Sequence, residues 1–180
     1  MWITIAVIAV ILLYIVAVYN GLVARRTQAK EAWATVDTQL KRRYDLIPNL
    51  VNAVGGAAAH ESKTLEAVIN ARNSAISAKG IEDKAAAENQ LTGALKSIFA
   101  LSESYPTLQA NQNFLELQRE LSDTETKIQA ARQFYNTVVM GLNTAIAQFP
   151  SNIIANLFKI SAEEFFKIDD AEKITPKVEF

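Results

Sequence analysis

The sequence predicts an all-α chain in which an N-terminal membrane-spanning helix runs on into further long helices. Three observations carry that expectation. Residues 2–19 hold no charge and a single polar side chain, Thr4. Six Gly and four Pro are thinly spread over 180 residues, among many Ala, Leu, Glu, Gln and Lys, the residues that lose least on entering a helix. Beyond the apolar run, apolar positions recur at threes and fours, the spacing of one helical face.

The apolar run is long enough for its task. At ~1.5 Å rise per residue it covers roughly 27 Å, close to the ~30 Å hydrocarbon core of a bilayer. A helix there satisfies its own backbone groups and crosses without partners. A cleaved leader is the competing reading. It requires a basic start and a small-x-small cleavage site, but no Lys or Arg precedes the run and Tyr19 stands where a small residue belongs. Trp2 and Tyr19 mark the two ends, where amphipathic rings favour the headgroup layer. Arg25, Arg26, Lys30, Lys41, Arg42 and Arg43 outnumber Glu31, Asp37 and Asp45 on the C-terminal flank. Positive flanks stay inside, so the N-terminus is expected outside and the bulk of the chain in the cytoplasm.

The first helix is expected to pass Asn20-Gly21 unbroken, since a lone Gly costs only ~1 kcal/mol. Leu22, Ala29 and Val36, with Trp33, Leu40 and Ile47 beside them, then recur at sevens, and Asp37 and Lys41 form an i,i+4 pair outside that stripe. Pro48 interrupts: either Asp45 caps a new helix or the helix continues with a kink. A second periodic stretch runs from Leu50 to Ile76 across Gly55-Gly56, with Gly80 as its C-cap. A third starts near Glu82, carries Leu91, Leu95, Ile98 and Phe99, and stops at Tyr105-Pro106. The fourth keeps its spacing from Phe114 to Phe149, roughly 50 Å of helix. Such a stripe must be covered by another long helix, in the same chain or a neighbour. The expected organisation is an anchor over 1–20, a helical bundle over 21–150, and a short helix with an extended tail over 151–180.

Composition excludes more chemistry than it suggests. There is no cysteine, so disulfides and thiolate sites are out, and a net charge of −1 gives nucleic acid no general attraction. His60 is the one histidine, which rules out a multi-histidine metal site within one chain. His60-Glu61-Ser62-Lys63-Thr64-Leu65 is similar to the phosphoacceptor box of sensor kinases, but Leu65 replaces the usual Pro and no Gly-rich nucleotide site follows. On the fourth helix Gln118, Glu125 and Arg132 recur at sevens, followed by Asn136 and Asn143. This line is either a buried register-setting network or a solvated flank. Arg72 is the natural partner for Glu125 if the helices pair, and Lys41-Arg42-Arg43 is expected to form ion pairs within the bundle.

Ordered blocks carry a resemblance along nearly the whole chain. They are Tyr19-Asn20-Gly21-Leu22-Val23, Trp33, the run from Gln39 to Val51, Ala59-His60-Glu61 and Ala71-Arg72. Further on come the run from Ser104 to Asn111, the run from Leu117 to Leu121, Thr124-Glu125, the run from Ala131 to Asn136, and Phe149-Pro150. In these blocks the chain resembles the LemA family of bacterial membrane proteins. Gly55-Gly56 and the absence of a Gly-Phe near the end depart from that pattern. The resemblance implies one span followed by a bundle of long antiparallel helices, association with the cell envelope and, through one relative, a part in shaping magnetosome membranes. It implies no catalytic residue, cofactor, metal or small-molecule substrate. The motif positions Trp33, Lys41, Arg42, Arg43, Asp45, Pro48, Asn49, Arg72, Glu125, Arg132, Tyr135 and Asn136 are then expected to serve structure.

The reading that follows is a non-enzymatic scaffold, held in the inner membrane by one span, that self-associates and organises envelope proteins or membrane shape. Two rivals are a signalling component accepting phosphate on His60 and an adaptor of a membrane protease.

Overall fold

A computed structural model describes residues 1–56, 58 and 61–167; His60 and the tail beyond Lys167 lie outside the described residues. Among the described residues six helices follow in order: α1 (Trp2–Gly55), α2 (Ser62–Ser77), α3 (Ile81–Ser102), α4 (Pro106–Gln109), α5 (Gln112–Ala147) and α6 (Ser151–Leu157). No strand occurs among the described residues, so the fold is all-α as the sequence predicts. Contacts divide the described residues into two units, Met1–Val36 with Ala130–Phe165, and Asp37–Gln129 with Phe166 and Lys167.

α1 continues without a break through Asn20-Gly21 and through Pro48, which lies inside the helix. Its first part is apolar and uncovered: Trp2 is 84 % exposed and every residue from Ile3 to Tyr14 is exposed. This is the one helix among the described residues that is, by itself, long and apolar enough to cross a membrane.

In the first unit α1 and α5 lie against each other. The Trp33 and Tyr135 rings meet edge-on with centroids 5.4 Å apart, and Leu22, Ala29, Ala32, Val36, Tyr135, Val139 and Leu142 are buried. These positions hold the seven-residue rhythm of α1 and the matching stripe of α5, so the long apolar face of α5 is covered here from within the chain. α6 turns 94° from α5. Its Ala155 joins Leu22 and Ile160 in a small cluster closed by Val18, Tyr19, Ala145 and Ile146. The chain then returns along α5. Asn143 receives a hydrogen bond from the Glu163 N–H at 3.0 Å and donates to the Glu163 carbonyl at 2.9 Å, and the Tyr135 hydroxyl donates to the Glu164 carbonyl at 2.8 Å. Arg26 also pairs with Glu163, at 3.3 Å.

The core of the second unit comprises Leu40, Ile47, Leu50 and Val54 of α1, Val68 and Ala75 of α2, Leu91, Leu95 and Ile98 of α3, Leu108 of α4, and Phe114, Leu121 and Ile128 of α5, all buried. Two sequence expectations change here. The stretch from Leu50 to Ile76 is two helices, because α1 stops at Gly55 and α2 begins only at Ser62; adjacent glycines cost a helix too much to be carried through without packing. Gly80 does not close α2, whose C-cap is Ala78. It opens α3 instead, with φ +83°, a conformation that glycine alone adopts without strain. Glu82 and Asp83 follow in the first turn of α3, where acids complement the helix dipole. The exposed Glu82 carboxyl bonds to Lys167, which holds it below its usual range. α4 is a turn that the sequence reading passed over, formed because Pro106 ends α3 and starts a new helix at its N1 position. Asn111 then caps α5, its Oδ1 accepting from the N–H groups of Asn113 at 3.0 Å and Phe114 at 3.3 Å.

The core assignment has a direct check. Leu142 is fully buried and Met140, two residues away, is exposed. Leu142→Ala should cost about 2–5 kcal/mol in denaturant unfolding followed by circular dichroism, whereas Met140→Ala should stay within about 0.5 kcal/mol.

Candidate functional site

The polar centre of the second unit begins with a register. Leu40, Ile47 and Leu50 are all buried on α1, and Arg43 falls in phase with them, so a guanidinium enters the apolar seam. On α3, Glu88 is likewise in phase with Leu91, Leu95 and Ile98. The two meet. Arg43 is 2 % and Glu88 1 % exposed, and Arg43 Nη2 donates to Glu88 Oε2. Arg43 Nη1 donates to Glu125 Oε2 on α5 and to the Thr92 hydroxyl at 3.2 Å. The other oxygen of Glu88 accepts from the Tyr44 hydroxyl. Lys84 stands 5.7 Å from the centre of the Tyr44 ring and 3.8 Å from Asp37.

Removing these charges from water is costly, and only mutual pairing makes it tolerable. Burial lowers the Arg43 pKa from its ordinary value, while the charge of Glu125, that of Tyr44 and the Glu125 hydrogen bond oppose the fall. Tyr44 is pushed up to about 12, chiefly by burial, with the Arg43 charge opposing and Asp37 adding. In the first unit Tyr135 is also pushed up to about 12, by burial and then by Glu163 and Glu164.

A second element of the centre follows from Pro48. Proline has no N–H, so it leaves the carbonyl four residues earlier without its helical donor. That carbonyl belongs to Tyr44, and Arg72 Nε on α2 donates to it at 2.8 Å. Arg72 therefore replaces the bond that Pro48 removes. This corrects the expected pairing of Arg72 with Glu125, whose partner is Arg43.

Above Arg43 and Glu125 lies an open groove of about 410 Å³ between α3 and α5, lined also by Leu95, Lys96, Phe99 and Gln118. A second, more polar groove of about 560 Å³ lies between α1 and α5, where Asn49, Asn52, Asn113, Glu116 and Glu120 converge. The first presents amides, hydroxyls and aliphatic carbon, and the second amides, carboxylates and aliphatic carbon. Among the described residues no group of three or more His, Asp or Glu could hold a metal ion.

The family description for the LemA family matches residues 32–180. The chain belongs to the LemA family. Protein LemA of Metamycoplasma hominis is 24% identical over 160 residues, covering 86% of this chain and 71% of that protein. Magnetosome protein MamQ of Magnetospirillum gryphiswaldense is 23% identical over 189 residues, covering 89% and 70%. With its family and the long apolar start of α1, the chain is a membrane-associated LemA-family protein.

The residues singled out in the sequence separate into distinct environments. Arg43, Glu125, Pro48 and Arg72 come together around Tyr44. Asn49 lines the polar groove, and Lys41, Arg42 and Asp45 are exposed. Arg42 faces the α5 carboxylate Asp123 electrostatically. In the first unit Trp33 and Tyr135 touch, Arg132 is buried and Asn136 half-buried. The polar line of α5 is thus neither wholly network nor wholly flank: Gln118 is exposed, while Glu125 and Asn143 are bonded. Sequence reasoning missed Glu88, Thr92 and Tyr44. Glu88 did leave a signal, a lone acid in phase with the apolar stripe of α3.

Two measurements test this centre. Arg43→Met leaves Glu88 buried without its counter-charge, and should cost about 3–5 kcal/mol in denaturant unfolding. Arg72→Ala should cost about 1–3 kcal/mol by stranding a buried carbonyl; in a Pro48→Ala background, where the helical N–H returns, that penalty should largely vanish as a coupling in the double-mutant cycle. The tyrosines predict a pH dependence. An unfolded tyrosine titrates near 10, and both folded values lie near 12. The fold favours the neutral phenol, so this contribution is complete below about pH 10 and is lost as pH rises toward about 12. Tyr44→Phe combined with Tyr135→Phe should flatten the fall in melting temperature across that window.

Proposed function

We propose that this protein is a non-enzymatic scaffold, held in a bacterial inner membrane by α1, whose helical domain self-associates and presents its grooves to envelope proteins or works on membrane shape. The observation that carries the reading is the contrast within α1. Its first residues are apolar and uncovered, whereas its later ones hold a core whose charged groups are engaged with one another. Glu88 has both oxygens occupied and Tyr44 stays protonated far above neutral pH, so neither is poised for proton transfer. The grooves over Arg43 and beside Asn49 offer docking chemistry, polar groups set beside aliphatic carbon. A relative named as a magnetosome protein is in keeping with work at a membrane. The basic flank from Arg25 to Arg43 supports an N-terminus outside and a cytoplasmic domain.

In vesicles the full chain should resist alkaline carbonate extraction, and Ile11→Arg, which places a charge costing about 2.5–3.5 kcal/mol at mid-span, should shift it toward the soluble fraction. In mild detergent the chain should elute as more than one copy; a strictly monomeric particle at all concentrations would count against self-association while leaving the anchor intact. A cysteine at exposed Ser104 should escape an impermeant maleimide in intact cells and react after lysis.

A further inference from the structure

α6 sits where the apolar run of α1 ends. Its Ala155 packs with Leu22 and Ile160, with Val18 and Tyr19 closing that cluster. The Phe158 ring, just past its end, lies 4.5 Å from the Tyr19 ring, centroid to centroid. The depth of Tyr19 therefore sets the depth of α6. With residues 2–19 across the hydrocarbon, that depth is the boundary between acyl chains and headgroups.

Its orientation follows from the same unit. α5 runs against α1 in the opposite sense, with Tyr135 at Trp33 and Ala145 and Ile146 at the Leu22 cluster. α6 turns 94° from α5. A helix at right angles to one that follows the span lies in the plane of the bilayer. Ile154 and Ala155 face inward and are buried, while Ile153 and Leu157, four residues apart, are 58 % and 68 % exposed. Phe149, just before the helix, is 80 % exposed. No Asp or Glu occurs from Gln148 to Lys159, so seating this ledge among lipids dehydrates no carboxylate. The end of α5 and α6 together are apolar enough to pass as a broken span, but the ledge beside Tyr19 needs no crossing to find apolar company.

We infer that α6 is a second membrane contact, an interfacial foot whose Phe149, Ile153 and Leu157 enter the boundary between headgroups and acyl chains. Its occupant is the lipid surface that already surrounds α1, because the ledge is continuous with the span through Val18 and Tyr19. Two contacts hold the unit at a set angle to the bilayer, where a single helix would leave it free to swing. The inference rests on α1 crossing the membrane.

The chain contains no cysteine, so single spin labels can be placed cleanly. Labels at Ile11→Cys, Ile153→Cys, Leu157→Cys and Gln133→Cys are compared in full-length protein in phosphatidylcholine–phosphatidylglycerol vesicles, by electron paramagnetic resonance with oxygen and an aqueous nickel complex as relaxants. Oxygen preference should be strongest at Ile11, several-fold above Gln133 at Ile153 and Leu157 but shallower than at Ile11, and absent at Gln133. Nickel access at Ile153 and Leu157 equal to that at Gln133, with Ile11 still deep, overturns the foot and leaves the span standing. Loss of oxygen preference at Ile11 itself overturns the span reading first. Depth at Leu157 equal to that at Ile11 replaces the flat foot with an inserted segment. Exclusion of both relaxants with spin–spin broadening assigns the ledge to a second copy instead.

Discussion

The second unit depends on a guanidinium that the heptad rhythm of α1 delivers into an apolar seam. Leu40, Ile47 and Leu50 define the seam, and Arg43 shares their phase. An arginine there cannot reach water by bending aside, so the neighbouring helices must bring it anions. Glu88 comes from α3 and Glu125 from α5, with the Thr92 hydroxyl between them. Apolar packing alone would let helices slide by a turn at modest cost, because leucine tolerates many neighbours. A buried ion cluster does not: one turn of slippage separates charge from counter-charge. Against apolar replacements the net worth of such a buried pair is small, so its stricter demand on the helices is geometric.

Pro48 extends the same logic to the backbone. A proline within a helix is a defect worth about 3 kcal/mol when nothing compensates it. Here the defect lies one turn beyond Tyr44, whose side chain already serves Glu88, and the freed carbonyl becomes the acceptor for Arg72. Tyr44 thus ties α1 to α3 through its hydroxyl and to α2 through its carbonyl. The proline that looks like an interruption in the sequence creates the acceptor that positions α2.

The helices and their apolar faces could be read from the sequence because both follow from local periodicity. α5 runs from Gln112 to Ala147 where a stripe from Phe114 to Phe149 was expected, and α1 passes Asn20-Gly21 as expected. The break after Gly55 and the role of Gly80 were misread, since a glycine marks a change of direction without saying which helix it serves. Partnerships were less legible still. Arg72 and Arg43 lie on helices that both approach Glu125 in a pattern drawn from spacing alone, and choosing between them requires the positions of three helices. The pairing of Asn143 with the Glu163 backbone depends on the chain turning back after α6, for which the sequence holds no periodic signal.

The chemistry of these buried groups bears on what the protein can do. A catalytic carboxylate or phenol works by exchanging a proton near ambient pH, and so needs a pKa drawn toward neutrality and a face open to substrate. Glu88 has both oxygens engaged and is sealed from solvent. Tyr44 and Tyr135 move the wrong way, up to about 12, because burial and nearby carboxylates both favour the neutral ring. The same burial that makes these residues good at fixing register makes them poor at transferring protons. The first part of α1 and the residues Ile153 and Leu157 of α6 are, by contrast, apolar and exposed.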